Sequence, residues 1–291
     1  MRAIRYLFTL LSLMLLPTVQ SSAPQNAAPA DKLFTVPSGK TSAQLAALDA
    51  LDAGTEEFKN GQYEKAIDDF RDAKRIDPGL LNARMYLGTA YAAEYIPGGP
   101  SEENLQKGEL AVAEFRDVLA LDPGNLSAID ALGSLRFQMA GSPFNSELFL
   151  ESKSNFQNHI KLKPNDPEPH FWIGVIDWTL AFRSNSELRK TLDEGEADPL
   201  PPYIREQYAT NFGKIIQEGI DSLNKAISLR PDYDDAMAYL NLLYRRKADV
   251  VDNQVDRDKL IDMADDLVEK VEDIKTKRAD DPSQPATEPC E

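Results

Sequence analysis

The stretch that decides the fold runs from Ala66 to Gly88 and reads AIDDFRDAKRIDPGLLNARMYLG. Its marker residues are Ala66, Phe70, Pro78 and Gly88, so the steps between them are four, eight and ten positions. The same steps recur three times: Ala111, Phe115, Pro123, Gly133; then Ser152, Phe156, Pro164, Gly174; then Gly219, Leu223, Pro231, Asn241. The spacing inside a copy is constant, whereas the distance from one copy to the next varies. A unit of constant length on a variable period indicates a repeated structural joint with insertions between the joints.

Apolar residues around the first copy recur with helical period. Leu48, Leu51 and the alanines near Ala53 lie on one face of a first helix, which Gly61 ends. The second helix has the apolar stripe Tyr63, Ala66, Ile67, Phe70 and Ala73. Pro78 then ends the second helix, because proline cannot continue a helical hydrogen-bond ladder. The sequence therefore predicts two antiparallel helices within the range 47–80.

A helix pair of this length, with small residues at fixed points, resembles the tetratricopeptide repeat. The second copy carries the resemblance most fully, with Leu87, Gly88, Tyr91, Ala111, Phe115 and Pro123. The first copy has Glu57 where the family has tyrosine, and the third has Ser152 in place of alanine. The resemblance covers most of residues 47–278. It implies an all-α, right-handed superhelix of four to five helix pairs, whose first helices line a concave groove for peptides or partner helices.

The insertions are located by the distance from each joint glycine to the proline that ends the same helix pair: Pro78, Pro123, Pro164 or Pro231. The distance is shortest from Gly54 to Pro78. The three later copies exceed it by eleven, seven and thirty-three positions, in chain order. All of the extra positions fall between the two helices of a pair, where the turns of a solenoid share one edge. The largest insertion, residues 185–217, is predicted to begin as a polar, acidic loop and to continue into a helix of about 27 residues.

The ends of the chain differ in composition from the repeats. Residues 1–23 resemble a secretory signal peptide, with Arg2 and Arg5 before the apolar run 7–16 and with small residues at 21–23. We expect residues 24–43 to be a flexible linker and residues 279–291 a disordered tail, on either side of a repeat domain at 44–278. The expected location is periplasmic or secreted, and an uncleaved N-terminal anchor is the alternative.

The last helical pattern, near residues 256–278, has one apolar stripe: Leu260, Ala264, Leu267, Val271 and Ile274. A single stripe suits a terminal helix that caps the repeat array, and a coiled-coil dimer helix is the alternative. Cys290 is the sole cysteine, so no disulfide can form within the chain, and a disulfide between two chains stays open. Weak self-association through these features is a second candidate function.

Composition and motifs exclude several classes of function. The net charge of −16 would repel a phosphate backbone, so we expect no nucleic-acid partner. We find no sequence motif for a metal, a nucleotide or a nucleophilic triad, and we expect no cofactor and no enzymatic activity. Of the two histidines, His159 falls on a predicted buried stripe and is interpreted as a core residue, whereas His170 begins a helix.

The first helix of the fourth repeat is apolar on two faces. By register, its groove face presents Phe171, Val175, Trp178 and Phe182. Its other face carries Trp172, Ile173, Ile176 and Leu180. A helix that is apolar on both faces must be covered on both. Either the insertion 185–217 folds back over the groove, or a partner peptide or helix covers it.

Basic residues collect near the ends of the predicted first helices, at Lys59, Arg136, Arg183 and 245–247. Cations are favoured in the last turn of a helix, which explains the pattern without a ligand. The alternative is a cationic spot that captures a carboxylate, and Arg245 and Arg246 therefore join the candidate groove residues. The sequence as a whole favours an extracytoplasmic adaptor or scaffold that binds a protein or peptide partner, without membrane insertion once the signal is cleaved.

Overall fold

The structure, a computed structural model, describes residues 39–192 and 200–279. The expected signal peptide at 1–23, nearly all of the expected linker at 24–43, residues 193–199 and the C-terminal residues with Cys290 lie outside the described residues. The chain divides into two compact units, residues 1–45 and 46–291. In the described part of the first unit, Thr41 and Gln44 cap the start of a helix reciprocally. The Thr41 N–H donates to Gln44 Oε1 at 3.0 Å, and the Gln44 N–H donates to Thr41 Oγ1 at 3.2 Å.

The described residues form ten α-helices and contain no strand. In chain order the helices are α1 Ser42–Lys59, α2 Tyr63–Ile76, α3 Leu81–Glu94, α4 Glu102–Leu121, α5 Leu126–Gly141, α6 Ser146–Leu162, α7 Pro167–Leu192, α8 Pro202–Leu229, α9 Asp234–Ala248 and α10 Gln254–Ala279. Odd-numbered helices are the first members of pairs and even-numbered helices the second members. Second-unit helices pack on their pair partners and on the next pair, and α3 also contacts α5 and α7 contacts α9. The predicted all-α helix-pair solenoid is confirmed.

The repeated joint is a close contact between a glycine and an aromatic ring of the same helix pair. A Cβ atom added to Gly54 would lie 2.6 Å from the Phe70 ring, and one added to Gly88 would lie 2.8 Å from the Phe115 ring. Both rings are fully or almost fully buried. In the fourth copy Leu223 takes the place of the ring against Gly174. The glycine is therefore required by the ring of its own pair, because any side chain there would displace the ring.

The largest insertion differs from its prediction at its start. The sequence predicted a polar loop from Asn185, but α7 continues as helix to Leu192. Asn185 and Arg189 lie one turn apart on this extension and are both buried, at 0% and 3% exposure. A helix can bury polar residues when they find hydrogen-bond partners in the core. The periodicity of apolar residues does not reveal such partners, so the sequence did not predict the extension. The long helix that follows is confirmed as α8, of 28 residues.

The turns within helix pairs approach one another. A Cβ atom on Gly98, in the α3–α4 loop, would lie 3.3 Å from Ser142, in the α5–α6 turn. The guanidinium of Arg183, on α7, lies 5.5 Å from the centroid of the Phe144 ring, in that same turn. The first two insertions and the C-terminal half of α7 are thus neighbours in space.

The last helix, α10, closes the C-terminal core. Ala264 and Leu267 are buried, and Leu260, Val271 and Ile274 are partly buried against the C-terminal core, where α10 packs on α9. The apolar stripe predicted for a capping helix is therefore occupied within the chain. No helix of the described part is long and apolar enough to span a bilayer.

Candidate functional site

Six aromatic rings form an unbroken chain of contacts across three first helices. We call this set the aromatic strip; it consists of Phe137 on α5, Phe171, Trp172, Trp178 and Phe182 on α7, and Tyr239 on α9. All six side chains are partly exposed. Partly exposed aromatic rings on a packed helical scaffold are typical of protein-binding surfaces, because they offer large apolar area at little cost in conformational entropy.

The contacts of the strip run from one ring to the next. The centroids of Phe137 and Trp172 lie 5.2 Å apart, and those of Trp172 and Phe171 lie 5.5 Å apart. Phe171 contacts Tyr239 at 5.8 Å, and Tyr239 contacts Trp178 at 5.3 Å. Trp178 stacks on Phe182 at 5.0 Å and 19°. These distances are within the range of favourable ring pairs, so each ring restrains its neighbours.

The two apolar faces of α7 are covered by neighbouring helix pairs. On one side Trp172 stacks on Phe156 of α6 at 5.8 Å. On the other side Phe171 contacts Tyr233, just before α9, at 5.0 Å. Part of the cover over Phe171 and Trp178 thus comes from the next pair, a source that neither sequence alternative had named. Residues of the insertion pack elsewhere on α7: the Tyr208 hydroxyl donates to the carbonyl oxygen of Ala181 at 2.8 Å.

The structure separates the predicted groove residues into two groups. Phe171, Trp178 and Phe182 belong to the aromatic strip and keep exposed surface. Val175 is 3% exposed, and Arg246 is 7% exposed, so both are core residues. The prediction that Val175 and Arg246 lie on the groove surface is therefore wrong, because both side chains are buried in the stack of helices.

The predicted cationic spot is divided among separate ion pairs. Arg245 donates to Asp265 of α10 at 2.6 Å and to Asn241 at 3.0 Å, and it stays partly exposed. Arg183 is exposed and pairs with Glu187 at 2.9 Å. Arg136 is buried between Glu109 and Glu151, at 2.8 Å and 3.0 Å. Within the described residues, no common anion site joins these cations.

Sequence reasoning missed Phe137 and Tyr239 and placed Trp172 on the opposite face. A signal for them exists in the repeat register. Trp172 and Tyr239 lie two residues before the joint positions Gly174 and Asn241, and Tyr86 lies two residues before Gly88. Phe137 and Trp178 both lie four residues after a joint glycine. Two register positions of the first helices thus supply four of the six rings.

A buried polar network ties α7 to the end of α9, beside the aromatic strip. Arg189 donates to Asp249 Oδ1 and to Asn185 Oδ1, both at 2.8 Å. Arg246 donates to Asn185 and lies 3.2 Å from Asp249 Oδ2. Burial raises the pKa of the Asp249 carboxyl above its usual range, while Arg246 and Arg189 oppose that rise. The network fixes the extension of α7 that the sequence predicted as a loop.

A second buried ion pair lies where α6, α7 and α8 meet. Lys153 Nζ lies 2.6 Å from Asp177 Oδ1 and 3.1 Å from Glu218 Oε2. Asp177 is completely buried, and desolvation raises the pKa of its carboxyl to about 7 even though Lys153 favours the charged form. This pair holds the underside of α7, since Lys153 belongs to α6 and Glu218 to α8.

His159 occupies the core of the third repeat, as predicted. It is 4% exposed, and its Nδ1 lies 2.5 Å from Asp130 Oδ1. Burial raises the pKa of the Asp130 carboxyl, and the bond to His159 opposes that rise. Over residues 39–192 and 200–279, no group of three or more histidine, cysteine, aspartate or glutamate side chains is placed to hold a metal ion.

The sequence and the fold both match known repeat proteins. Residues 52–80 match the tetratricopeptide repeat family. The crystal structure of MamA protein superposes with a TM-score of 0.56 at 15% identity, over 82% of this chain and 97% of that one. MamA residues 41-end from Desulfovibrio magneticus RS-1 give a TM-score of 0.53 at 15% identity, over 80% and 97%. No curated protein matches the sequence. Structures this distant in sequence share the fold, and their sites do not transfer.

The paired helices and the glycine–ring joints define the class of this protein as an α-helical repeat solenoid. Within that class, residues 52–80 match the tetratricopeptide repeat, and the superposed solved structures share the fold of the chain. Tetratricopeptide repeats act in general as scaffolds for protein–protein interaction rather than as enzymes. Which surface of this chain binds, and what it binds, has to be argued from its own residues.

Proposed function

We propose that the chain is an interaction scaffold outside the cytoplasm, and that its aromatic strip binds an apolar segment of a partner protein as a peptide or helix. The observation that carries this proposal is the unbroken chain of six partly exposed rings over α5, α7 and α9. A surface made of many rings in mutual contact supports binding better than scattered apolar residues do, because interface energy concentrates in packed aromatic clusters.

The support beneath the strip favours binding without rearrangement. Trp172 is held by Phe156, and Phe171 by Tyr233, so neither ring has to become ordered when a partner docks. Binding surfaces that are already rigid lose less conformational entropy on association. Charged side chains stand near the strip, with Arg183 exposed and Arg245 partly exposed. Charges at the margin of an apolar surface set the orientation of a partner more than its affinity.

The strip also supplies its own optical probe. The chain contains two tryptophans, Trp172 and Trp178, and both belong to the strip. Binding of an apolar segment over these rings removes them from water. We therefore expect a change in intrinsic fluorescence on binding of any peptide that docks there.

The test is selection of peptides from a displayed random library, followed by fluorescence titration of the selected peptides. Trp178→Ala combined with Phe182→Ala removes the stacked pair, and we expect at least about 30-fold weaker binding, since truncation of a central aromatic residue costs about 2 kcal/mol or more. Titration of this variant is followed through Trp172. Tyr203→Ala is the matched control, because Tyr203 is 67% exposed on α8 and lies outside the strip. Unchanged affinity in the folded double variant would remove the strip as the binding surface.

The second candidate, self-association through the C-terminal helix, has less support. Its apolar stripe packs within the chain, where α10 contacts α9. Two large apolar residues of α10, Val255 and Met263, are exposed at 62% and 44%. Two separated residues are too little for a stable dimer interface.

A further inference from the structure

A cavity of about 340 Å³ lies between α2, α3 and α4, in a part of the chain separate from the aromatic strip. Six of its lining side chains are polar or charged: Arg71, Lys74 and Arg75 from α2, Arg84 and Tyr91 from α3, and Glu114 from α4. Four of these six are cations, in a chain whose net charge is −16. Each of these cations has a carboxylate partner, but only one carboxylate, Glu114, lines the cavity itself, so the lining favours an anion over a cation.

The four cations differ in how firmly they are held. Arg71 pairs with Asp68 at 3.2 Å, and Arg75 pairs with Asp72 at 3.0 Å, each within one turn of α2. All four side chains of these two pairs are more than half exposed. Exposed ion pairs of this kind contribute little to stability, so both guanidiniums can turn toward a ligand at small cost.

Arg84 and Lys74 form the fixed wall of the cavity. Arg84 donates to Asp117 at 2.8 Å and to the Pro78 carbonyl oxygen at 3.1 Å, and its side chain is 14% exposed. Lys74 Nζ lies 2.5 Å from Glu114 Oε1. Each cation keeps N–H donors beyond those it uses here, since guanidinium has five and ammonium three. The wall can therefore donate to an anion without giving up its internal bonds.

The buried carboxylate of Glu114 indicates that a ligand in this cavity carries a hydrogen-bond donor as well as an anionic group. It is 8% exposed, and its Oε2 atom accepts no hydrogen bond within the described part of the chain. Arg84 Nη1 lies 3.7 Å from Oε2, which is within ion-pair range but too long for a hydrogen bond. A buried carboxylate oxygen without a donor is costly, so a ligand that supplies a donor here gains affinity.

Tyr91 completes the polar lining. Its hydroxyl oxygen accepts a bond from Arg71 Nε at 2.9 Å. The hydroxyl hydrogen then remains available to donate, because a phenol both donates and accepts. The cavity thus offers cationic donors and a phenol hydroxyl to the anionic group of a ligand. It also offers a buried carboxylate to a donor group on the same ligand.

We propose that this cavity binds a small phosphate monoester that also carries an amino or hydroxyl group. The dianionic phosphate contacts Arg71, Arg75 and Arg84, and Tyr91 donates to it. The amino or hydroxyl group donates to Glu114 Oε2. Phosphate suits the site better than carboxylate does, because its two negative charges and three terminal oxygens can accept from several of these donors at once. The site is independent of the aromatic strip and of the partner proposed for it.

The test is isothermal titration calorimetry on the full folded chain with four probes. O-phosphoethanolamine carries phosphate and amine, ethyl phosphate carries phosphate alone, β-alanine carries carboxylate and amine, and propionate carries carboxylate alone. We expect O-phosphoethanolamine to bind about tenfold more tightly than ethyl phosphate, the value of one charge-assisted hydrogen bond. No heat from any probe at about 10 mM, or equal affinity for the two phosphates, would overturn the proposal. β-Alanine binding as tightly as O-phosphoethanolamine would overturn the choice of phosphate.

Variants that remove arginines inside and outside the cavity separate the site from general electrostatic attraction. Arg71→Gln with Arg75→Gln is expected to weaken O-phosphoethanolamine about tenfold or more, whereas Arg116→Gln leaves it unchanged. Arg116 is a suitable control because it is 56% exposed on α4 and pairs with Glu151 outside the cavity. Glu114→Gln is expected to remove most of the preference for O-phosphoethanolamine over ethyl phosphate. If that variant is destabilised, as thermal melting would show, the two arginine variants and the probe series still decide the question. An equal loss in Arg116→Gln would show nonspecific attraction and refute the site.

Discussion

At the scale of single residues, the repeated joint depends on the absence of a side chain. Gly88 has the Phe115 ring against its backbone, and that ring is 1% exposed. The sequence marked Gly88 and Phe115 as fixed positions of the repeat, and the structure shows that they meet within one helix pair. The physical reason is close packing: the ring fills the volume that a Cβ atom would need.

Gly88→Ala is therefore expected to destabilise the protein by about 1–3 kcal/mol, through overpacking against Phe115. Urea unfolding measures this change. Gly213→Ala is the matched control, since Gly213 lies inside α8 with nothing within 4 Å of an added Cβ atom. That control should stabilise the protein by about 0.5–1 kcal/mol, because alanine favours helix over glycine. Equal effects of the two substitutions would contradict the packing explanation of the joint.

At the scale of helices, the extension of α7 depends on one buried polar network. Asn185 and Arg189 lie on the extension, and their partner Asp249 lies just after α9. The helix continues through residues that the sequence suggested as a loop, because distant partners satisfy their polar groups. The same network buries Arg246, which the sequence had assigned to the groove surface.

Asp249→Ala leaves the guanidiniums of Arg189 and Arg246 in the core without their shared carboxylate. We expect a loss of about 3–5 kcal/mol in unfolding free energy, the usual cost of breaking a buried ion pair from one side. Asp252→Ala provides the control, because the Asp252 side chain is 94% exposed and lies 3.6 Å from Arg205. Its effect should stay below about 0.5 kcal/mol. A small effect of Asp249→Ala would show that the network does not hold the α7 extension.

At the scale of the whole molecule, the proposed location depends on residues 1–23, which only sequence reasoning addresses. Arg2 and Arg5 precede a run of about ten apolar residues, too short to span a bilayer as one helix. Export would place the acidic repeat domain in a compartment where the strip meets partners outside the cytoplasm.

The export proposal predicts that the full chain expressed in its native cells is recovered outside the cytoplasm with a new N-terminus near residue 24. N-terminal sequencing and intact mass spectrometry of the fractionated protein measure this. Deletion of residues 7–16 is the control and should leave the protein in the cytoplasm. An intact Met1 on protein held at the membrane would instead support the uncleaved anchor, and an intact Met1 in the cytoplasm would refute export.

The sequence by itself determined the helix pairs, their joints and the capping stripe of α10. These features follow from local periodicity and from steric rules that operate within a few tens of residues. The tertiary structure alone decided which apolar and charged side chains are covered. Asn185 and Asp249 are 64 positions apart, and the rings of Phe171 and Tyr239 meet between different helix pairs. Burial depends on the stacking of helix pairs, because the neighbouring pairs cover each pair. The local sequence of one pair therefore does not show which of its side chains are buried.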